Sequence, residues 1–196
     1  MVLLLDVKIN RYLCMKIDMI MNDFEKRIEN DLIAHLHSKG TIDALMPECP
    51  DVEGKWESIA QSYLPDGVRE FNAYPLASLG WMMYIGMAIA KYWDKDWGRY
   101  ACVDDLYGYM LGKTHFDHLD EYILQQVLGL EGNALVAAES ITGDCAARVD
   151  SALRHSGLQP GTAEAFRAYV ACLHQLYRMG MAVQLHSMGY RMAKIR

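Results

Sequence analysis

Apolar residues recur along this chain with the period of a helix. Ile17, Ile20, Met21, Phe24, Ile28, Leu32 and Leu36 form one stripe, with Asp18, Asn22, Glu25, Lys26, Glu29 and Asn30 on the other side. This predicts an amphipathic helix that ends at Gly40. The segment TIDALMPECPDVEGKW, broken by Pro47, Pro50 and Gly54, reads as a loop with a short turn of helix. Trp56, Ile59, Ala60, Tyr63 and Leu64 predict a short helix, stopped by a turn at Pro65-Asp66-Gly67.

The twenty residues FNAYPLASLGWMMYIGMAIA, from Phe71 to Ala90, carry no charge. Such a length suits a membrane span. Only Phe71, Leu76, Leu79, Ile85 and Ile89 favour lipid, however, and together they supply only about −2 kcal/mol. Arg69 and Glu70 before the run, and Lys91, Asp94, Lys95 and Asp96 after it, lack the one-sided Lys and Arg excess of a span. The run therefore predicts a helix over about 75–93 that is buried on every side, with Pro75 in its first turn. Gly80, Gly86 and the alanines admit close neighbours.

WDKDWGRY then reads as a polar connection, followed by a short helix from about Asp104 to Met110. Leu119, Tyr122, Ile123, Val127 and Leu130 predict another helix. The next is lined by Leu135, Ala138, Ile141, Cys145, Val149 and Leu153 and ends at His155-Ser156-Gly157. A last helix starts near Pro160, with Phe166, Tyr169, Val170, Leu173, Leu176 and Tyr177 inward. Beyond Gly180 the apolar face moves to Met181, Leu185, Met188 and Met192, which predicts a kink or a change of partner there.

No segment of useful length alternates with the period of a strand. The pattern predicts an all-α fold, a single-domain antiparallel helical bundle of six or seven helices around the central apolar helix. One domain spans 1–196, with 1–15 as a peripheral N-terminal extension; a start at Met15, Met19 or Met21 is equally compatible with the first stripe. Internal repetition is faint. The tripeptide GMA occurs within YIGMAIA and again within YRMGMAV, at about the chance level for so Met-rich a chain.

Composition agrees with a water-soluble core. The chain has 196 residues, 52% hydrophobic, and a formal net charge of −6. MVLLLDVKIN has no basic start and too short an apolar run for a secretory signal. Cys14, Cys49, Cys102, Cys145 and Cys172 are odd in number and scattered, which predicts free thiols in the cytoplasm. Arg167, Arg178, Arg191, Lys194 and Arg196 against Glu164 make the part from Pro160 onward +4, so the remainder is −10. Five positive charges over that length suit a helix docked on an acidic body better than a nucleic-acid surface.

Chemistry has two candidate places. In THFDHLDEY, His115, His118 and Glu121 stand three apart, a spacing that brings metal-ligating side chains onto one helix face. The stretch serves equally as a helix start with acidic residues against the dipole. The second place is an aromatic concentration, eight of the twenty aromatic residues lying between Trp81 and Tyr109. Trp81, Tyr84, Trp93 and Trp97 with Asp104 and Asp105 define a candidate ligand pocket, although aromatic core with an aspartate capping a helix accounts for the same residues. Gln184, Ser187 and Arg191 share one line of the last helix and form a weaker anion-binding candidate.

No nucleotide-binding glycine loop, nucleophile elbow, H-E-x-x-H or paired Glu-x-x-His is present. The sequence accordingly predicts a binding module that contacts a protein partner or itself, with no nucleic acid, no integral span and no cofactor. The alternative is a helical-bundle enzyme or small-ligand binder that uses a transition metal at His115, His118 and Glu121.

Overall fold

A computed structural model of the chain describes residues 21–191. Residues 1–15 with Cys14, the stripe positions Ile17 and Ile20, Asp18 opposite them, the start candidate Met19, and Met192, Lys194 and Arg196 lie outside them. Every regular element among the described residues is helical, and no strand occurs there. The elements are α1 (21–38), α2 (Pro50–Glu53), α3 (Trp56–Phe71), α4 (Pro75–Tyr100), α5 (Leu106–Leu111), α6 (Leu119–Glu121), α7 (Gly132–Arg154) and α8 (Ala163–Ser187). Two of these, α2 and α6, are single turns, so six helices exceed one turn.

The neutral run is the centre of the bundle. Met82 to Ala90 are nine consecutive buried residues, because α3, α7 and α8 cover different sides of α4. No helix of the described residues is long and apolar enough to cross a membrane. The densest contact is between α4 and α8. These two run in the same direction, since Ser78 meets Tyr169 near their starts and Asp94 meets Tyr190 near their ends. The helices neighbouring them in sequence alternate with them: Thr142 of α7 lies against Gly80 of α4, and Asp150 near the end of α7 shares a recess with Phe71 and Tyr169.

Gly86 and Gly180 are what lets α4 and α8 touch. A Cβ on Gly86 would press on the Tyr177 carbonyl oxygen and lie 3.0 Å from its carbon and 3.1 Å from Met181 N. A Cβ on Gly180 would meet the Met83 carbonyl and Met87 N in the same way. The two GMA tripeptides thus face each other across the crossing, each glycine against the other helix's backbone. Gly180 is no kink, for α8 is unbroken from Ala163 to Ser187.

Three further expectations are corrected. Helix α3 does not stop at Pro65 but continues to Phe71, with Pro65 inside it. Gly67 serves packing there: a Cβ would collide with the Tyr63 ring, and the Gly67 carbonyl accepts from Ser78 Oγ at 2.8 Å. The presumed polar connection WDKDWGRY belongs to α4, which bends at Asp96 (φ −167°, ψ 76°) and ends at Tyr100. Lys55 anchors that end, its Nζ donating to the carbonyls of Ala101 at 2.7 Å and Val103 at 2.9 Å. Finally, α6 widens into a π-helical stretch over Tyr122–Val127, closed by Leu128 N–H to the Ile123 carbonyl at 2.9 Å. The wide turn buries Leu119, Ile123 and Leu124 together.

Helix α8 starts later than Pro160, capped by Thr162 Oγ1, which accepts from Ala165 N at 3.2 Å. Its basic residue Arg178 meets an acidic seam between α1 and α2. It donates to Glu29 Oε1 at 2.6 Å and to Glu53 Oε1 at 3.0 Å, while Gln175 donates to Glu25 Oε1 at 2.8 Å. His174 lies in the same cluster, 3.5 Å from Glu53 and stacked at 4.6 Å on Trp56. The hydrogen bond from His174, with the Arg178 charge, holds the Glu53 carboxyl below its ordinary value although burial opposes this.

Candidate functional site

The aromatic residues named from sequence divide among several places. Tyr92 stacks on Tyr100 at 4.1 Å and Tyr109 packs edge-on against both, so this part of the concentration is filled core. Trp93 donates to Asp51 Oδ2 at 3.1 Å and packs on Tyr190. Trp97 lies under the Lys55 ammonium, 6.0 Å from its ring centre. Asp105 caps α5, accepting from Gly108 N at 2.8 Å, and Asp104 is exposed. These four residues do not enclose a common cavity with Trp81 and Tyr84.

Trp81 and Tyr84 do line a recess, of about 180 Å³, between α4 and α7. Ala77, Gly80 and Gly143 leave the space, and a Cβ on Gly143 would touch nothing within 4 Å. Asp120 and Glu139 complete its wall. Trp81 is fixed by an edge contact with Phe116 at 4.4 Å. Burial, with the Glu139 and Asp120 charges nearby, pushes the Tyr84 hydroxyl up to about 12. Thr142, 1% exposed, also borders the recess, and its side chain partly offsets that rise by hydrogen bonding to Tyr84.

His115, His118 and Glu121 are not brought together on a helix. His115 has extended backbone (φ −96°, ψ 160°) before a 3-10 turn over Phe116–His118. His118 Nδ1 meets Glu121 Oε2 at 3.2 Å on the open surface. Among the described residues no three His, Cys, Asp or Glu side chains converge as a metal would require. Gln184, Ser187 and Arg191 form no anion site either. Ser187 donates to the Gln184 carbonyl, and Arg191 turns back to the carbonyls of His186 and Tyr190.

The sequence reading missed an apolar recess of about 500 Å³, where α3 and α7 end and α8 begins. Phe71, Leu153, Leu158, Pro160 and Tyr169 form most of its wall, with Phe71 packed on Tyr169 at 4.8 Å. Its polar side is the pair Asp150–Arg154, joined at 2.7 Å, and Asp150 Oδ1 is buried without a partner among the described residues. Beneath it, Tyr169 OH meets Ser78 Oγ at 2.8 Å. Phe166, expected inward, is 48% exposed beside this recess, because α8 has not yet reached the core. A wider, shallow cleft between α1 and α7 is polar. Its charges answer one another, with Arg148 on Asp31 at 3.1 Å and His35 Nε2 3.5 Å from Asp144.

No known family model, curated protein or solved structure matches this chain.

Proposed function

We propose that the protein is a cytoplasmic binding module that docks a partner protein on the end of the bundle around Phe71, Leu158 and Tyr169. One coincidence carries the reading. Seven large hydrophobic side chains are exposed among the described residues, and three of them, Val68, Tyr74 and Phe166, stand within a few residues along the chain of Phe71 and Ala165, which line the 500 Å³ recess. The recess falls in the range of roughly 300–1,000 Å³ typical of binding pockets, and its wall is mainly apolar. An apolar recess with exposed hydrophobic side chains nearby is the arrangement of an interface centre, where one anchored side chain is dried by its neighbours. A free small molecule would fill the recess and leave Tyr74 and Phe166 wet; a protein surface covers both. The described cysteines are free thiols, which supports a reducing compartment.

A light-activated benzophenone amino acid at position 74 or 166 tests this in cells that make the protein. The expected result is an adduct of discrete mass, a homodimer or a heterologous complex, that disappears when Ala165→Trp fills the recess. The same probe at Glu48, toward the opposite end, should give none. Absence of an adduct, or an adduct indifferent to Ala165→Trp, would overturn the reading.

A further inference from the structure

We infer that the recess between α4 and α7 is a binding site for an alkylammonium group, independent of the apolar recess at the bundle end. Its walls combine two features. Trp81 and Tyr84 supply aromatic rings, whose electron-rich faces attract cations, and Asp120 and Glu139 supply negative charge. Neither carboxylate forms an ion pair with a described residue; Asp120 accepts only from the Glu121 backbone N–H, at 2.9 Å. Arg69, whose guanidinium lies 5.1 Å over the Phe116 ring that packs on Trp81, is engaged by Asp66 and Glu70. Two unneutralised carboxylates beside a pair of aromatic rings select a cation over an anion or a neutral molecule.

Size narrows the class. A recess of about 180 Å³ is smaller than the roughly 300–1,000 Å³ of a whole-ligand pocket. It suits one compact head group, such as a primary or methylated ammonium on a short alkyl stem. The missing side chains at Gly80 and Gly143 are what open it, and α7 has no need of a glycine at 143 for its backbone, whose φ is ordinary. The ammonium belongs either to a free amine or to a lysine side chain on a peptide.

The test uses the full chain and follows the Trp81 indole N–H resonance, assigned by its loss in Trp81→Phe. Choline and an N-terminally acetylated peptide carrying one unmodified lysine are titrated in parallel, with 3,3-dimethylbutanol as the neutral analogue of choline. Saturable shifts with choline or the peptide, and none with the alcohol, are expected. Tighter binding of choline identifies a small amine, and tighter binding of the peptide identifies lysine. Affinity should fall roughly tenfold in Glu139→Gln and again with raised salt, as a screened charge contact does. Gly143→Leu should abolish binding while leaving the melting temperature at or above that of the parent. Equal shifts from the alcohol, no shift from either cation, or undiminished binding in Gly143→Leu would each overturn the assignment.

Discussion

The close crossing of α4 and α8 makes a quantitative prediction for Gly86→Ala. The added methyl meets backbone atoms, the Tyr177 carbonyl and Met181 N, which cannot rotate aside as a side chain could. Ordinary contact requires the two helices to part by something on the order of 1 Å, and a gap of that size forfeits about a quarter to a half of each dispersion contact it opens. Overpacking of this kind costs about 1–3 kcal/mol. The upper end applies, because Met83, Met87, Tyr177 and Met181, all buried at the crossing, loosen together. Alanine in place of glycine stabilises the helix itself by about 1 kcal/mol. The net loss is then about 2 kcal/mol, or a melting temperature lower by about 4–8 °C for a domain of this size. Gly143→Ala, whose methyl meets nothing, carries only the helix gain and should raise stability by about 1 kcal/mol. Urea denaturation and thermal melts of both variants measure the contrast. Gly86→Ala with Gly180→Ala should cost less than the two singly, since the first separation makes room for the second. A neutral or stabilising Gly86→Ala would refute the crossing geometry.

Two other outcomes follow from the buried polar groups. Ser78→Ala leaves the Gly67 carbonyl and the Tyr169 hydroxyl without their partner and should cost about 1–3 kcal/mol in urea denaturation, whereas an exposed serine replaced in the same way should cost almost nothing. Glu53, held below its ordinary value of 4.5 in the fold, contributes stability that is full above that value and is lost as pH falls through the lower folded value. Glu53→Gln should therefore flatten the acid limb of a stability-against-pH curve below about pH 4.5, and an unchanged limb would contradict the role of the His174 and Arg178 contacts.

Periodicity was a good guide wherever one helix face met the core. The stripe Phe24, Ile28, Leu32, Leu36 and the stripe Ile141, Cys145, Val149 are buried as their spacing implies, and α4 is covered all round from Met82 to Ala90, although Leu76 in its first turn stays 47% exposed. Local turn chemistry misled at Pro65-Asp66-Gly67. The missing side chain at Gly67 makes room for the Tyr63 ring, a contact between helix turns that composition does not reveal. Gly180 misled for the same reason, since a glycine at a helix crossing and a glycine at a bend look identical in one dimension. Of the candidate pocket, Trp81 and Tyr84 were legible and their partners were not. Asp120 and Glu139 join them from α6 and α7, and pairing of distant segments is written in tertiary packing rather than in spacing. The end recess left no sequence signal, because Phe166 reads as core until the surface is seen.

The shared direction of α4 and α8 has a consequence for the chain as it is made. Two helices pointing the same way need a long excursion between them, here α5 to α7, so the principal seam joins residues about ninety positions apart. At ribosomal speeds of about 5–20 residues per second, the greasy flank of α4 that awaits α8 stays bare for roughly 5–20 s after α4 has emerged. A nascent chain paused before Ala163 would present Met83, Gly86 and Met87 to whatever holds unfinished proteins, and release would come with the arrival of the matching GMA.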